Sequence, residues 1–411
     1  MKKFWRVWTN LQLAIFSVLV ACAPAAADDW PAFRGSKHDG LCQETGLLKT
    51  WPAKGPKLLW KVTGLGEGLA GPAIVGDRLY TMSNADDKEW VLALDVSQDG
   101  KRVWASAIGP IRHKGGGYPG PHATPTVDGT RLYAMGIAGD LVAMDTAQGN
   151  IVWRHDLVKD FGGKIHDQGY SEAPLVDGPW VLCTPGMEKN TIVALDKMTG
   201  KLVWAAAVGD PAAHAAIVKF TAAGVQQYVA FTGKGVIAVR AEDGKFLWRS
   251  NHEAINCESC IPWDQTVFFT NEHGGGLLSV QKTDAGFTAK EVYSTKNMKS
   301  YHSGVLLVNG ELYGCSKDLL TCMDYKTGNV RWSDKGAGNC SVLYADGCLY
   351  CRDEGGPISL VEATPSGFHL KGRFEQPNRS GRNAWPHLVI AHGRLYVRDQ
   401  DLLLCYDVAG K

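Results

Sequence analysis

Apolar and polar positions alternate with period two in short runs along most of this chain, and Asp-Gly or Thr-Gly turns bound the runs. Half-buried antiparallel strands joined as hairpins need that pattern. Helical periodicity is nowhere sustained, so the pattern predicts an all-β chain. The runs also repeat as a phrase: a Gly/Ala-Pro opening, an Asp-Gly turn, a Leu-Tyr pair, an apolar-Ala-apolar-Asp segment, then Gly-Lys and an aromatic. One copy reads Thr124-Pro125-Thr126, Asp128-Gly129, Leu132-Tyr133, Ala143-Met144-Asp145, Gly149 and Val152-Trp153. Another keeps Ala173-Pro174, Asp177-Gly178, Ala194-Leu195-Asp196, Thr199-Gly200-Lys201 and Val203-Trp204.

Eight copies are found, the fifth the most worn and the last, ending at Cys405-Tyr406-Asp407, without its closing aromatic. The aromatics stand at 60, 104, 153, 204, 248, 293, 332 and 374. That spacing fits four short strands per copy. Units of this size cannot bury both faces alone and stack radially as propeller blades. Leu58-Leu59-Trp60-Lys61 has the pattern of a fourth strand with no strands before it, and it completes the last copy. The expectation is an eight-bladed β-propeller of four-stranded antiparallel blades over 58–411, closed by the N-terminal strand and preceded by an extension over 28–57.

Residues 1–27 read as an export signal: basic Lys2, Lys3 and Arg6, an apolar run from Leu11 to Val20, and Ala25-Ala26-Ala27 before Asp28. Leu19-Val20-Ala21-Cys22 also fits the box after which bacterial lipoproteins are cut and acylated, which would anchor the chain at Cys22. A periplasmic or extracellular location follows from either route. No segment reaches the roughly 20 apolar residues of a transmembrane span. Lys+Arg 43 against Asp+Glu 42 argues against a nucleic-acid surface.

Beyond Cys22 there are ten cysteines, an even number that permits disulfides in an exported chain without fixing any. Cys315 and Cys322 flank a short turn and could face each other across a hairpin. Cys257-Glu258-Ser259-Cys260 has a two-residue gap, but Ile261 stands where covalent haem attachment needs His, and no second such pair completes a four-thiolate zinc site.

The Ala-Leu-Asp, Thr-Gly-Lys, Val-Trp phrase resembles the PQQ-like repeat shared by quinoprotein alcohol dehydrogenases and the outer-membrane assembly lipoprotein BamB. The entry Asp29-Trp30-Pro31-Ala32-Phe33-Arg34-Gly35 and the late strand Arg394-Leu395-Tyr396-Val397-Arg398-Asp399 resemble a secreted bacterial subgroup of these proteins. The resemblance spans 29–411. It implies the propeller and leaves the activity open. In the dehydrogenases PQQ stacks on a ring made by two adjacent bonded cysteines, beside calcium. This chain has no adjacent Cys pair, so those residues cannot be carried over, and a PQQ and calcium cofactor is doubtful.

The recurrent Trp is read as packing between blades, and the recurrent Asp as an acceptor for turn amides. Chemistry is sought where copies agree in position but differ in residue. Eleven residues before each Leu-Tyr aromatic lies the turn into the innermost strand, facing the central channel. That phase gives Leu69, His122, Ser171 with Glu172, His214, Glu258, His302, Asn339 and Trp385. Polar groups converging on one axis predict a binding mouth. Arg112, His113, Tyr118, His166, Tyr170, Lys299, Tyr301 and His387 are expected on loops there, able to hold an anionic or sugar-like ligand. The three His fall on alternate blades, too dispersed for the roughly 2 Å bonds of zinc, so no metal site is assigned.

Three functions remain: a binding or scaffolding module at the cell envelope for a small-molecule, sugar or protein ligand; a PQQ- or sugar-binding oxidoreductase, with Glu172 or Glu258 as acid or base; or a BamB-like assembly factor with an envelope-protein partner.

Overall fold

In the computed structural model, which describes Met1 and residues 28–111, 120–164, 168–254 and 256–410, every copy of the phrase folds into one meander of antiparallel strands. Blade 1 comprises Ala73–Val75, Arg78–Ala85, Lys88–Asp95 and Lys101–Pro110, innermost to outermost. Blades 2 to 7 begin at Thr126, Leu175, Val218, Ile261, Leu306 and Cys340 in the same order. Blade 8 takes Val389–Ala391, Arg394–Asp399 and Leu402–Asp407 from the C-terminus and Lys57–Val62 from the N-terminus. Trp60 pairs with Cys405, so the expected joining of the two chain ends is observed. The eight blades form an all-β propeller.

The phrase acquires a mechanism once the blades are adjacent. In seven blades the pairing of the outer strand slips by one residue just before the aromatic, and in blade 7 it slips before Gly372, two residues ahead of Phe374. Such a bulge sharpens the local twist and re-aims the next side chain. The skipped residue, for example Val152 or Val203, is left exposed, while the indole turns onto the next blade. Trp153 Nε1 donates to Lys197 O at 3.0 Å, and Trp104 Nε1 to Thr146 O at 3.1 Å. Both rings pack on the turn glycine of the next blade: at Gly200, where φ is 73°, a Cβ would come within 2.8 Å of Trp153, and at Gly149 within 2.5 Å of Trp104. The recurrent Asp caps that turn, as Asp196 Oδ1 does by accepting from Thr199 N at 2.8 Å. Hydrophobic cores lie between blades, as where Tyr133, Leu141 and Ala143 meet Val181, Val193 and Leu195.

Arginines tie the last blades together. Buried Arg352 donates to Pro386 O at 3.2 Å and to Gln376 Oε1 at 2.8 Å, and buried Arg398 bonds Thr81 across the junction of blades 8 and 1.

The ten cysteines among the described residues are free thiols, and the expected Cys315 to Cys322 bridge is not formed. Strand register explains this: Cys315 lies opposite Leu320, and Cys322 opposite Tyr313. The near neighbour of Cys315 is Cys340 of blade 7, with Sγ atoms 3.7 Å apart.

Residues 28–42 form a strap across the axis. Trp30 bridges to Ile74 of blade 1, and Val127 N of blade 2 donates to Pro31 O at 2.8 Å. On the opposite side of the ring, Arg34 Nη2 donates to Val305 O at 2.5 Å beside blade 6, and Leu41–Cys42 pairs in parallel with Tyr344 and Ala345 of blade 7. Among the described residues no helix is long and apolar enough to cross a membrane.

Candidate functional site

The strap divides the axial space in two. At the end where the chain enters each innermost strand lies a cavity of about 130 Å3. A second, of about 480 Å3, lies beyond the strap against the innermost strands of blades 3 to 6. Arg34 and Ser259 wall both.

The first cavity gathers Leu69, His122, Ser171, His214, Glu258, His302, Trp385, Tyr301 and His387 from the turns entering seven blades. On one wall the Ser171 hydroxyl lies between two imidazoles, 3.0 Å from His122 Nδ1 and 2.8 Å from His214 Nδ1. A hydroxyl has one proton, so it donates to one ring and accepts from the other. The ring that accepts from it carries no proton on Nδ1, and the ring that donates to it does.

Glu354 organises the facing wall. His302 Nε2 is 2.7 Å from Glu354 Oε1, which also takes the Trp385 indole N–H, while Asn339 Nδ2 donates to Oε2 at 2.9 Å. Burial opposes the charge of this carboxylate, but the bonds from His302, Trp385 and Asn339 outweigh it and hold the group below the usual carboxylate range. Tyr301, His302 and Trp385 form an aromatic corner, with His302 and Trp385 rings 4.7 Å apart.

The floor is charged and compensated. Buried Glu258 accepts from Ser300 Oγ at 2.6 Å and Gly304 N at 2.8 Å, with Arg34 Nη1 at 4.0 Å. His387 packs on Phe33 and reaches His302 O at 3.1 Å, which fixes its Nε2 as the donor. Burial, then the neighbouring Arg34 charge, push this imidazole down to about 4, so it is neutral at physiological pH. Gly304 is required beneath it: φ is 73°, and a Cβ would come within 2.4 Å of the His387 ring.

Other candidates lie behind this lining. Asn339 supports Glu354. Glu172 turns into the protein, accepting from Thr184 N at 2.8 Å, and burial pushes its carboxyl up to about 8 despite bonds from Thr184 and Ile217. Tyr170 is buried with its hydroxyl on Pro185 O at 2.9 Å. Lys299 is half-buried outside the cavity lining, its amide donating to Ser316. Arg112, His113, Tyr118, His166 and Cys22 lie outside the described residues.

Sequence reasoning missed Phe33, Arg34, Glu354 and Cys257. Cys257 holds the phase assigned to Glu258, because Ile261 pairs with Phe268 as Thr126 pairs with Tyr133; counting back from Phe269 slipped the register by one. Glu258 therefore shares the phase of Glu172. Phe33 and Arg34 stood in a motif noted only for its resemblance, and Glu354, in Asp353-Glu354-Gly355-Gly356, follows a second strand instead of preceding a first.

A dehydrogenase-type quinone and calcium do not fit this donor set. Among the described residues no three His, Cys, Asp or Glu side chains converge as a metal site. Cys257 and Cys260 wall different cavities, so they present no adjacent-cysteine platform.

A family model described as "Outer membrane protein assembly factor BamB" matches residues 87–334. Outer membrane protein assembly factor BamB of Kangiella koreensis is 37% identical over 82 residues, 20% of this chain and 18% of that relative's length. BamB from Moraxella catarrhalis superposes with a TM-score of 0.60 at 14% identity, over 85% of this chain and 97% of that one. A europium-containing methanol dehydrogenase superposes with a TM-score of 0.62 at 13% identity, over 90% and 89%. Both structural likenesses are of fold.

Proposed function

From the membership of this chain, which belongs to the outer membrane protein assembly factor BamB family of PQQ-like propellers, and from its axial cavity, we propose an exported binding module of the cell envelope. The cavity at the entry end of the innermost strands is its ligand site. The observation that carries this reading is the internal pairing of the cavity's charges. Arg34 faces Glu258, Glu354 faces His302, and His387 is neutral. Both carboxylates already have their hydrogen-bond partners within the protein, so neither is left open to a strongly ionic ligand. What the walls offer is hydroxyl, imidazole and indole, the groups that bind neutral, polyhydroxylated rings by hydrogen bonding and stacking. A sugar-like ligand is the class that fits.

Calorimetric titration with a panel of neutral mono- and disaccharides tests this. At least one should bind, and His122→Ala with His302→Ala should weaken it about tenfold or more, each lost bond being worth about 1 kcal/mol. Unchanged affinity in the double variant overturns the site. A stoichiometric chromophore and dye-linked activity with PQQ and calcium would support the oxidoreductase instead. The family match supports a second reading, a scaffold for an envelope protein. In vivo cross-linking to envelope proteins, with no sugar bound, would favour it.

A further inference from the structure

The first residues of the strap meet a buried carboxylate. Glu44 is 6% exposed and accepts from His392 N and, at 2.7 Å, from Gly393 N, both in the first turn of blade 8. It makes no ion pair with a cation among the described residues. A buried carboxylate without a positive partner is costly. The third group facing it is the backbone nitrogen of Asp28, 3.3 Å from Oε1. Asp28 is also the residue that follows the small-residue cleavage site read in the sequence.

We propose that Asp28 is the mature N-terminus and that its α-ammonium is the missing cation: a latch on Glu44 that pins the strap beneath the axial cavity. The chemistry is peptide hydrolysis by an export peptidase. Water adds across the bond between Ala27 and Asp28, Ala27 leaves as a carboxylate, and the Asp28 nitrogen is released as an amine that takes up a proton. A neutral amide that only donated to Glu44 becomes a charged partner.

The surroundings are suited to holding it. Asp28 Oδ2 accepts from Gln43 N at 3.3 Å. Asp29 Oδ1 accepts from Gly76 N at 2.8 Å and lies 3.0 Å from His392 Nε2. The two ends of the ring, blades 8 and 1, thus both hold Asp29, and the next residue, Trp30, bridges to Ile74 of blade 1. The groups facing the amine are Glu44, Asp28's own carboxylate, Asp29, His392 and the Cys42 thiol, which burial keeps neutral, so the negative charge there comes from the three carboxylates. Five residues further on, Phe33 and Arg34 form the cavity floor.

The experiment uses the protein exported from its own precursor. Intact mass should give a chain beginning at Asp28. A chain beginning elsewhere, including an acylated one beginning at Cys22, overturns the proposal, because the nitrogen is then an amide. In the mature chain the amine pKa, followed by the pH dependence of its reductive methylation, should lie about one unit or more above the ordinary 7.7–8.0. It should return to that range in Glu44→Gln. An ordinary value in the wild type refutes the latch. If Glu44→Gln does not fold, a wild-type chain carrying three extra residues before Asp28 replaces it. That chain should lose thermal stability relative to the mature one at pH 7 and match it at pH 11, where the amine is neutral. Equal stability at both values refutes the latch.

Discussion

Replacing Glu172 by Gln should stabilise this protein at neutral pH, although a buried polar side chain is altered. Glu172 is 1% exposed, accepts from Thr184 and has no ion-pair partner among the described residues; burial lifts its carboxyl from the ordinary 4.5 to about 8. The sign follows from proton counting. Above 4.5 the unfolded chain releases this proton while the folded chain retains it, so unfolding releases a proton and stability falls as pH rises toward 8. Each pH unit inside that window costs about 1.4 kcal/mol, so the group removes about 3 kcal/mol between pH 5 and pH 7.5. Gln has the shape of the protonated acid and does not titrate. Urea unfolding at both pH values measures the effect: Glu172→Gln should lose about 3 kcal/mol less than the wild type over that interval. Residual slope will come from Glu89, which burial also raises to about 8. Equal slopes in the two proteins would show that Glu172 is ionised in the folded state and refute the reasoning.

Three further outcomes follow from the same structure. Arg34→Met removes the guanidinium facing Glu258 and the bonds to Asp39 and Val305, and should cost about 3 kcal/mol in urea unfolding, with Arg34→Lys recovering only part of it. Gly200→Ala, whose Cβ meets the Trp153 ring at φ 73°, should cost at least about 1 kcal/mol more than Gly178→Ala, whose Cβ meets nothing within 4 Å at φ 54°. Of the ten cysteines beyond Cys22, only half-buried Cys257 should react with a disulfide reagent in the native protein, and slowly, since burial also raises its thiol pKa; all ten should react in denaturant.

The ring was legible because its determinants are local and repeated. A bulge, an indole and a turn glycine recur at fixed offsets, so Trp153 with Gly200 could be read from spacing alone. The inward phase was legible for the same reason, and it brought His122, Ser171, His214, His302 and Trp385 to one cavity. What could not be read has no counterpart from copy to copy. Arg34 reaches the axis on a strap that belongs to no blade, and Glu354 reaches it from a loop on the far side of a strand pair. Blade 5 lacks the Leu-Tyr marker, and a one-residue error there exchanged Cys257 for Glu258. Residue type alone was equally silent on direction: Ser171 and Glu172 are neighbours, yet one faces the cavity and the other the interior.

Lys57–Val62, the strand that seals the circle against Leu402–Asp407, is synthesised before the strands of blades 1 to 7, and its partner after them. During biogenesis this segment has to wait with its edge open while seven sheets form behind it. A chain stalled or clipped before its final residues would carry a vacant slot in blade 8 and an orphaned strand to fill another molecule's slot. Quality control of this protein therefore turns on whether its two ends find each other.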